Sequence, residues 1–258
     1  MTIAAGFRCR DGVLLLADSR HTIGDAGYQG QKIWGIDCGE SGSSLLVTAA
    51  GTDSAILETV DFLKSDAGIR GNSLSFETVT NAIRRCNPGK NSTLLVGVKL
   101  RNEEQARLLR VEEDDEGKIR INQLPHTFTG AQVAEALCRE IFEWLYSPSV
   151  RVLQMKELAK HVFGRVFDYD PWCGPPVQSD YLFDDGGAIE MIGDFRMPTY
   201  TQGYRGYLCG VQHLLGATIR GCIDFTTGEG DFENVLQQLI DELKEMRKNS
   251  KGRWLEID

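Results

Sequence analysis

The chain predicts an α+β fold: a four-layer αββα sandwich followed by a C-terminal helical extension. Three observations predict it. Candidate elements run in the order strands, two helices, strands, two helices, strands. Hydrophobic spacing switches between strand-like runs and helical faces at each change of element. Each amphipathic helix needs a sheet face to cover, and two antiparallel sheets packed between two helical layers supply those faces.

The first pair of strands is Thr2-Ile3-Ala4-Ala5-Gly6-Phe7 and the apolar run from Val13 to Asp18. Asp11-Gly12 between them is a strong hairpin signal. That hairpin brings Asp18 back beside Thr2. A loop, His21 to Gln31, leads to two more strands, Lys32–Ile36 and Ser44–Thr48. Gly51 ends the second, and Thr52 or Asp53 can cap a helix with Ile56, Val60 and Leu63 on one face. A second helix starts at Ser75, where Ser-Phe-Glu-Thr reads as a cap, and stops before Asn87-Pro88-Gly89. Strands return at Ser92–Leu100 and Ala106–Val111, and Ile119–Gln123 continues the meander after an acidic turn. Two helices follow at 131–146 and 152–167, divided by Ser147-Pro148-Ser149. The first aligns Val133, Ala134, Leu137, Ile141 and Leu145. Val177–Phe183 and Ala188–Ile192 then form a hairpin around Asp184-Asp185-Gly186-Gly187. These elements define a domain over 1–195. Residues 196–258 form the extension, with an amphipathic helix over 231–248. Its apolar face either docks on the same domain or forms a subunit contact.

With 41% hydrophobic and 25% charged residues, the 258-residue chain has the balance of a soluble globular protein. A net charge of −9 argues against nucleic acid as the main partner, since phosphate binding needs clustered Lys and Arg. No stretch approaches a membrane span, and no signal peptide is expected. Seven cysteines with no Cys-x-x-Cys spacing argue against a disulfide or metal scaffold and for a reducing cytoplasm.

The most informative residues are at the start. Removal of Met1 would leave Thr2 with a free α-amine, so that one residue holds both nucleophile and base. Ala17-Asp18-Ser19-Arg20 and Lys32 follow. In this the chain resembles the proteasome β-type and HslV-like family of N-terminal nucleophile (Ntn) hydrolases. That family carries an N-terminal threonine, a glycine turn, an apolar strand ending in Ala-Asp-x-Arg, and then a lysine. Here the lysine stands about two residues early. Thr48-Ala49-Ala50-Gly51 is similar to the family's small-residue turn before its first helix. Phe128-Thr129-Gly130 stands where the family has Ser-Gly. Asp170-Pro171-Trp172-Cys173-Gly174 is similar to its Asp-x-x-Ser-Gly, with Cys173 at the serine position.

The resemblance implies a threonine endopeptidase working through an acyl-enzyme at Thr2, without cofactor or metal. Lys32 would lower the pKa of neighbouring groups, Asp18 would pair with it, and Arg20 would brace the Asp18 loop. The Gly51 N–H would face the oxyanion. Thr129 and Asp170, with Cys173 in support, would orient the amine. His21, Ala49 and Asp53 would line the substrate pocket, with Asp53 alternatively a plain helix cap. The implied partners are polypeptide substrates, further copies of the chain in a homo-oligomeric ring, and a separate ATPase if substrates need unfolding. Two other readings stay open: a non-catalytic assembly subunit, and an Ntn amidohydrolase acting on a small amide.

Overall fold

The computed structural model describes residues 2–185, apart from 24–25, 72–73, 87 and 171–172. In chain order the strands and helices are β1 (Ile3–Cys9), β2 (Gly12–Asp18), β3 (Arg20–Ile23), β4 (Ala26–Gln29), β5 (Ile33–Asp37), β6 (Ser44–Ala50), α1 (Asp53–Ser65), α2 (Phe76–Cys86), β7 (Thr93–Lys99), β8 (Arg107–Glu113), β9 (Ile119–Gln123), β10 (His126–Gly130), α3 (Gln132–Leu145), α4 (Val152–Tyr169) and β11 (Val177–Phe183). One sheet has the order β10-β1-β2-β11 and the other β5-β6-β7-β8-β9, while β3 and β4 form a separate ribbon. Among the described residues all strand pairs are antiparallel.

The sandwich follows from what each strand face buries. Successive strand residues point to opposite faces. Ile3, Ala5 and Phe7 of β1 and Leu14 and Leu16 of β2 therefore share one face. They pack with Cys138 and Phe142 of α3 and Met155 and Phe163 of α4. The alternate residues Ala4, Val13, Leu15 and Ala17 meet Leu46, Leu95 and Leu108 from the other sheet. On that sheet's outer face, Leu45, Val47, Leu94 and Val96 pack against Ile56, Val60 and Leu63 of α1 and Val79 and Ile83 of α2. β2 is buried at every residue, which explains why it reads as a continuous apolar run without alternation. The αββα layering expected from the sequence is the architecture observed.

Local signals act largely as expected. The Asp11-Gly12 turn joins β1 to β2, and Ile3 lies opposite Gly130 on one side while Ala4 pairs with Ala17 on the other. At the start of α2, Ser75 Oγ accepts the Thr78 N–H at 3.1 Å, the side-chain cap that its position promised. Thr52 occupies the N-cap of α1 without a side-chain cap bond. Three details differ from the sequence reading. His126–Gly130, read only as the approach to a helix, is β10 and pairs with β1. The loop His21 to Gln31 contains most of the β3–β4 ribbon. β8 runs on to Glu113, into the acidic turn. Ala188–Ile192, the helix over 231–248 and the division at 195/196 lie outside the described residues. Among the described residues, no helix is long and apolar enough to cross a membrane.

Candidate active site

Thr2 is held by its backbone at the end of the first sheet. Its carbonyl accepts the Ala131 N–H at 2.8 Å, just beyond β10. Gly130, with φ +147°, lies against it: a Cβ there would sit 1.9 Å from Thr2 O and 2.8 Å from Ile3 Cα. Only glycine permits that approach and that dihedral.

Asp18 ends β2 and is fully buried. Its Oδ1 accepts the Ile3 N–H at 3.0 Å and the Lys32 ammonium at 2.9 Å. Its Oδ2 accepts the Arg20 N–H at 3.2 Å and the Gly174 N–H at 3.3 Å. Four donors converge on one carboxylate, which favours its ionised form. Burial nonetheless leaves this carboxyl above its ordinary range, with Lys32 and the Ile3 and Gly174 amides opposing that shift.

Lys32 precedes β5, and its side chain is 2% exposed. An ammonium has three N–H donors. They reach Thr2 Oγ1 at 2.7 Å, Asp18 Oδ1 at 2.9 Å and the Arg20 carbonyl. Burial lowers the pKa of Lys32 below the ordinary lysine value, and Asp18 opposes that shift. A buried cation is thus aimed at a threonine hydroxyl and anchored on its other side by a buried anion. Such a cation favours the alkoxide over the hydroxyl.

Around this centre the remaining sequence-predicted residues take definite places. Arg20 contributes its backbone N–H and carbonyl, and its side-chain stem lies over Gly174. Gly51 follows β6 with φ +145°, packed so closely on Ser92 that a Cβ would meet the Ser92 Oγ at 2.2 Å. The same Oγ accepts the Thr52 N–H at 3.3 Å. His21 Nδ1 and Asp53 Oδ2 lie 2.9 Å apart, so Asp53 at the start of α1 reaches back to the β3–β4 ribbon. Ala49 is buried in the core under α1 and α2. Thr129 is buried on β10 opposite Ala4, one residue from the glycine that holds Thr2. Asp170 is buried beyond α4, and its carbonyl accepts the Cys173 N–H at 3.2 Å. Cys173 lies in the apolar cluster under α3 and α4. Burial, then Asp18 and Asp170, push its thiol far above the usual cysteine value, against the pull of Lys32, so it stays neutral.

Three residues that sequence reasoning did not assign to the site belong beside it: Gly130, Ser92 and Gln178. Gly130 stood in a quoted motif, but its need for glycine comes from the Thr2 carbonyl, which spacing does not reveal. Ser92 had no signal of its own. Gln178 had a weak one, a long amide near the start of the expected strand Val177–Phe183; its Oε1 accepts the Lys32 N–H at 2.8 Å.

Comparison with known proteins agrees with this architecture. No family model matches the chain. A proteasome subunit beta from Methanosphaera stadtmanae is 24% identical over 197 residues, which is 73% of this chain and 89% of that protein. Among solved structures, an Anbu (Gly-1) mutant from Hyphomicrobium sp. strain MC1 superposes with a TM-score of 0.64 at 16% identity, covering 85% of this chain and 97% of that one. Anbu (ancestral beta-subunit) from Yersinia bercovieri gives 0.61 at 17% identity, covering 83% and 96%. A helical assembly of the Anbu complex from Pseudomonas aeruginosa gives 0.55 at 16%, covering 84% and 96%. The chain has the proteasome-subunit-like fold that these solved structures share.

Proposed function

We propose that this chain is a threonine peptidase that cleaves peptide bonds through an acyl-enzyme at Thr2, once Met1 has been removed. The observation that carries the reading is the Lys32 ammonium, buried, paired with Asp18 and donating to Thr2 Oγ1. In the reaction, the free α-amine of Thr2 accepts the Oγ proton and Oγ adds to the scissile carbonyl carbon. The oxyanion that forms is stabilised by the Gly51 N–H. The C–N bond then breaks, and the leaving amine takes the proton from the α-ammonium. Water, deprotonated by the α-amine, hydrolyses the resulting ester and restores Thr2. Thr129 and Asp170 orient the amine, with Cys173 in support.

His21 and Asp53 line the pocket for the substrate side chain, with Ala49 packed in the core beneath rather than open to it, and the Asp53 carboxylate favours a basic side chain. The working form is a homo-oligomeric ring in the cytoplasm, fed by a separate ATPase where substrates are folded. The exposed apolar side chains of Leu57, Val133 and Leu153, on the helical layers, support subunit packing.

The test combines intact mass with one variant. Protein from its own host should begin at Thr2, and Thr2→Ala should abolish peptide hydrolysis while unfolding at the same denaturant concentration. Full activity in that variant overturns the proposal. A second reading, a non-catalytic assembly subunit, is favoured by Cys173, whose neutral thiol is a weaker hydrogen-bond partner than a serine hydroxyl. A chain that keeps Met1 in its host would select it. A third, hydrolysis of a small amide, would be marked by a monomer with an open site.

A further inference from the structure

We infer that Gln178 is a positioning residue for Lys32, fixing the lysine backbone so that its ammonium meets Thr2 Oγ1; this rests on the reading of Thr2 as nucleophile. Gln178 is the second residue of β11 and pairs with Ala17, one step from the Val177–Asp18 pair. Gln178 is half-buried, and on its strand face lie Ala17 and Leu182 of the apolar layer between the sheets, with the buried Asp180 between Gln178 and Leu182. An amide there is costly unless both its ends are bonded. Both are. Oε1 accepts the Lys32 N–H at 2.8 Å, and Nε2 donates to the Gly30 carbonyl at 2.6 Å.

These two contacts fall on residues two apart in the chain, as a neighbouring strand would make them. Residues 30–32 lie between β4 and β5 and belong to neither. The side chain of Gln178 thus takes the place of a strand partner. The Gly30 N–H, bonded to the Ser19 carbonyl at 3.0 Å, ties the same segment to the chain beyond β2. Lysine is a point charge on a long flexible stem. All three of its donors are engaged at the tip, so the tip stays on Thr2 only if the Cα is equally well placed. Among side chains, only Gln and Asn combine an amide acceptor with an amide donor, and Asn is one methylene shorter. Loss of either end lets the 30–32 segment shift, and displacements near 1 Å at a catalytic group cost ~100-fold in rate.

The experiment compares wild-type protein with Gln178→Leu and Gln178→Met, the second keeping the length of the side chain if the first does not fold. Peptide hydrolysis is measured alongside the titration of Lys32 in carbon-13-lysine-labelled protein, its signal assigned with Lys32→Arg. A fall in kcat of ~10- to 100-fold with KM changed less than ~3-fold is expected. The Lys32 titration should move upward, toward the ordinary lysine value, as water reaches the loosened ammonium. A merely structural glutamine would lower the unfolding midpoint and leave both readings unmoved, which would overturn the inference. If wild-type protein hydrolyses no peptide, the peptidase reading fails, and the Lys32 titration alone decides the role of Gln178.

Discussion

Asp18→Asn is the most informative single change, because the geometry sets its cost. The carboxylate serves four donors, two on each oxygen. An asparagine has one oxygen and one NH2 group, so either orientation turns a donor toward two donors. With its oxygen toward Ile3 and Lys32, the Arg20 and Gly174 N–H groups face the NH2. With the opposite orientation, the ammonium does. In both cases the buried Lys32 loses its counter-charge. Removing one partner of a buried ion pair costs about 3–5 kcal/mol, and that is the loss expected in urea denaturation at unchanged m-value. Lys32→Met added to the same chain removes the stranded cation. The double variant should then be less destabilised than the sum of the singles by about 2–3 kcal/mol, near the upper end of couplings between contacting residues. A coupling within ~0.5 kcal/mol of zero would refute the argument that the two charges are held together by burial. Activity gives a second check. Lys32 must be charged to favour the alkoxide, so activity falls as pH rises through its folded pKa, already lowered by burial. Without Asp18 that pKa falls further, and the alkaline limb should begin at lower pH.

Three other outcomes are expected. In Gly130→Ala, the new Cβ must retreat from 1.9 Å to the 3.4 Å of ordinary contact with Thr2 O, a movement of about 1.5 Å. The variant should lose roughly 2–4 kcal/mol from overpacking and positive φ, and ~100-fold or more in hydrolysis; full activity would contradict the placement. Asp180 is buried on β11, and burial pushes its carboxyl up to about 6, against the Tyr181 N–H and Lys156. The folded state therefore holds a proton that the unfolded chain releases, so this group destabilises above pH 6, and the penalty fades as pH falls toward 4. Asp180→Asn should raise stability at pH 7 by about 1–2 kcal/mol, the shift being discounted for partial solvent access and the lost attraction to Lys156, and flatten the slope between pH 4 and 6, as followed by urea midpoints. Asp53→Asn should lower kcat/KM for peptides with Lys or Arg before the scissile bond by about 2- to 5-fold relative to apolar ones, the worth of a partly exposed charge pair. Equal effects across a peptide panel would remove Asp53 from the pocket.

Features encoded locally were legible in the sequence. The Asp11-Gly12 turn, the Ser75 cap and the helical spacing of Ile56, Val60 and Leu63 each depend on residues a few positions apart. Their order was enough to predict the layers. β10 was missed because His126-Thr127-Phe128-Thr129-Gly130 carries one large apolar residue and too few positions to show a period. Its strand character comes from lying along β1. The β3–β4 ribbon is equally short. At the site, the hairpin signal placed Asp18 beside Thr2, whereas Lys32 was named through the family resemblance; the structure brings the Lys32 ammonium to both Thr2 Oγ1 and Asp18. The His21–Asp53 pair and the Gln178 bridge join segments from different parts of the fold. No window of sequence contains both halves of either contact.

The strand order of the first sheet also bears on when the site comes into being. Its two central strands are made first, and the strands that flank them are separated from them by most of the domain. Ile3 awaits Gly130, and Asp18 awaits the stretch that ends with Phe183. At roughly 5–20 residues per second, a ribosome needs on the order of ten seconds to pass from one to the other. Until Gly130 is made the N-terminal hairpin has neither edge covered, and until Gly174 is made Asp18 lacks that N–H. The threonine, the lysine and their support therefore meet only after the domain is nearly complete. A nascent chain that has just passed Lys32 carries Thr2, Asp18 and Lys32 without the strands that flank them, so the proposed nucleophile lacks its complete surroundings until the second half of the described domain is made.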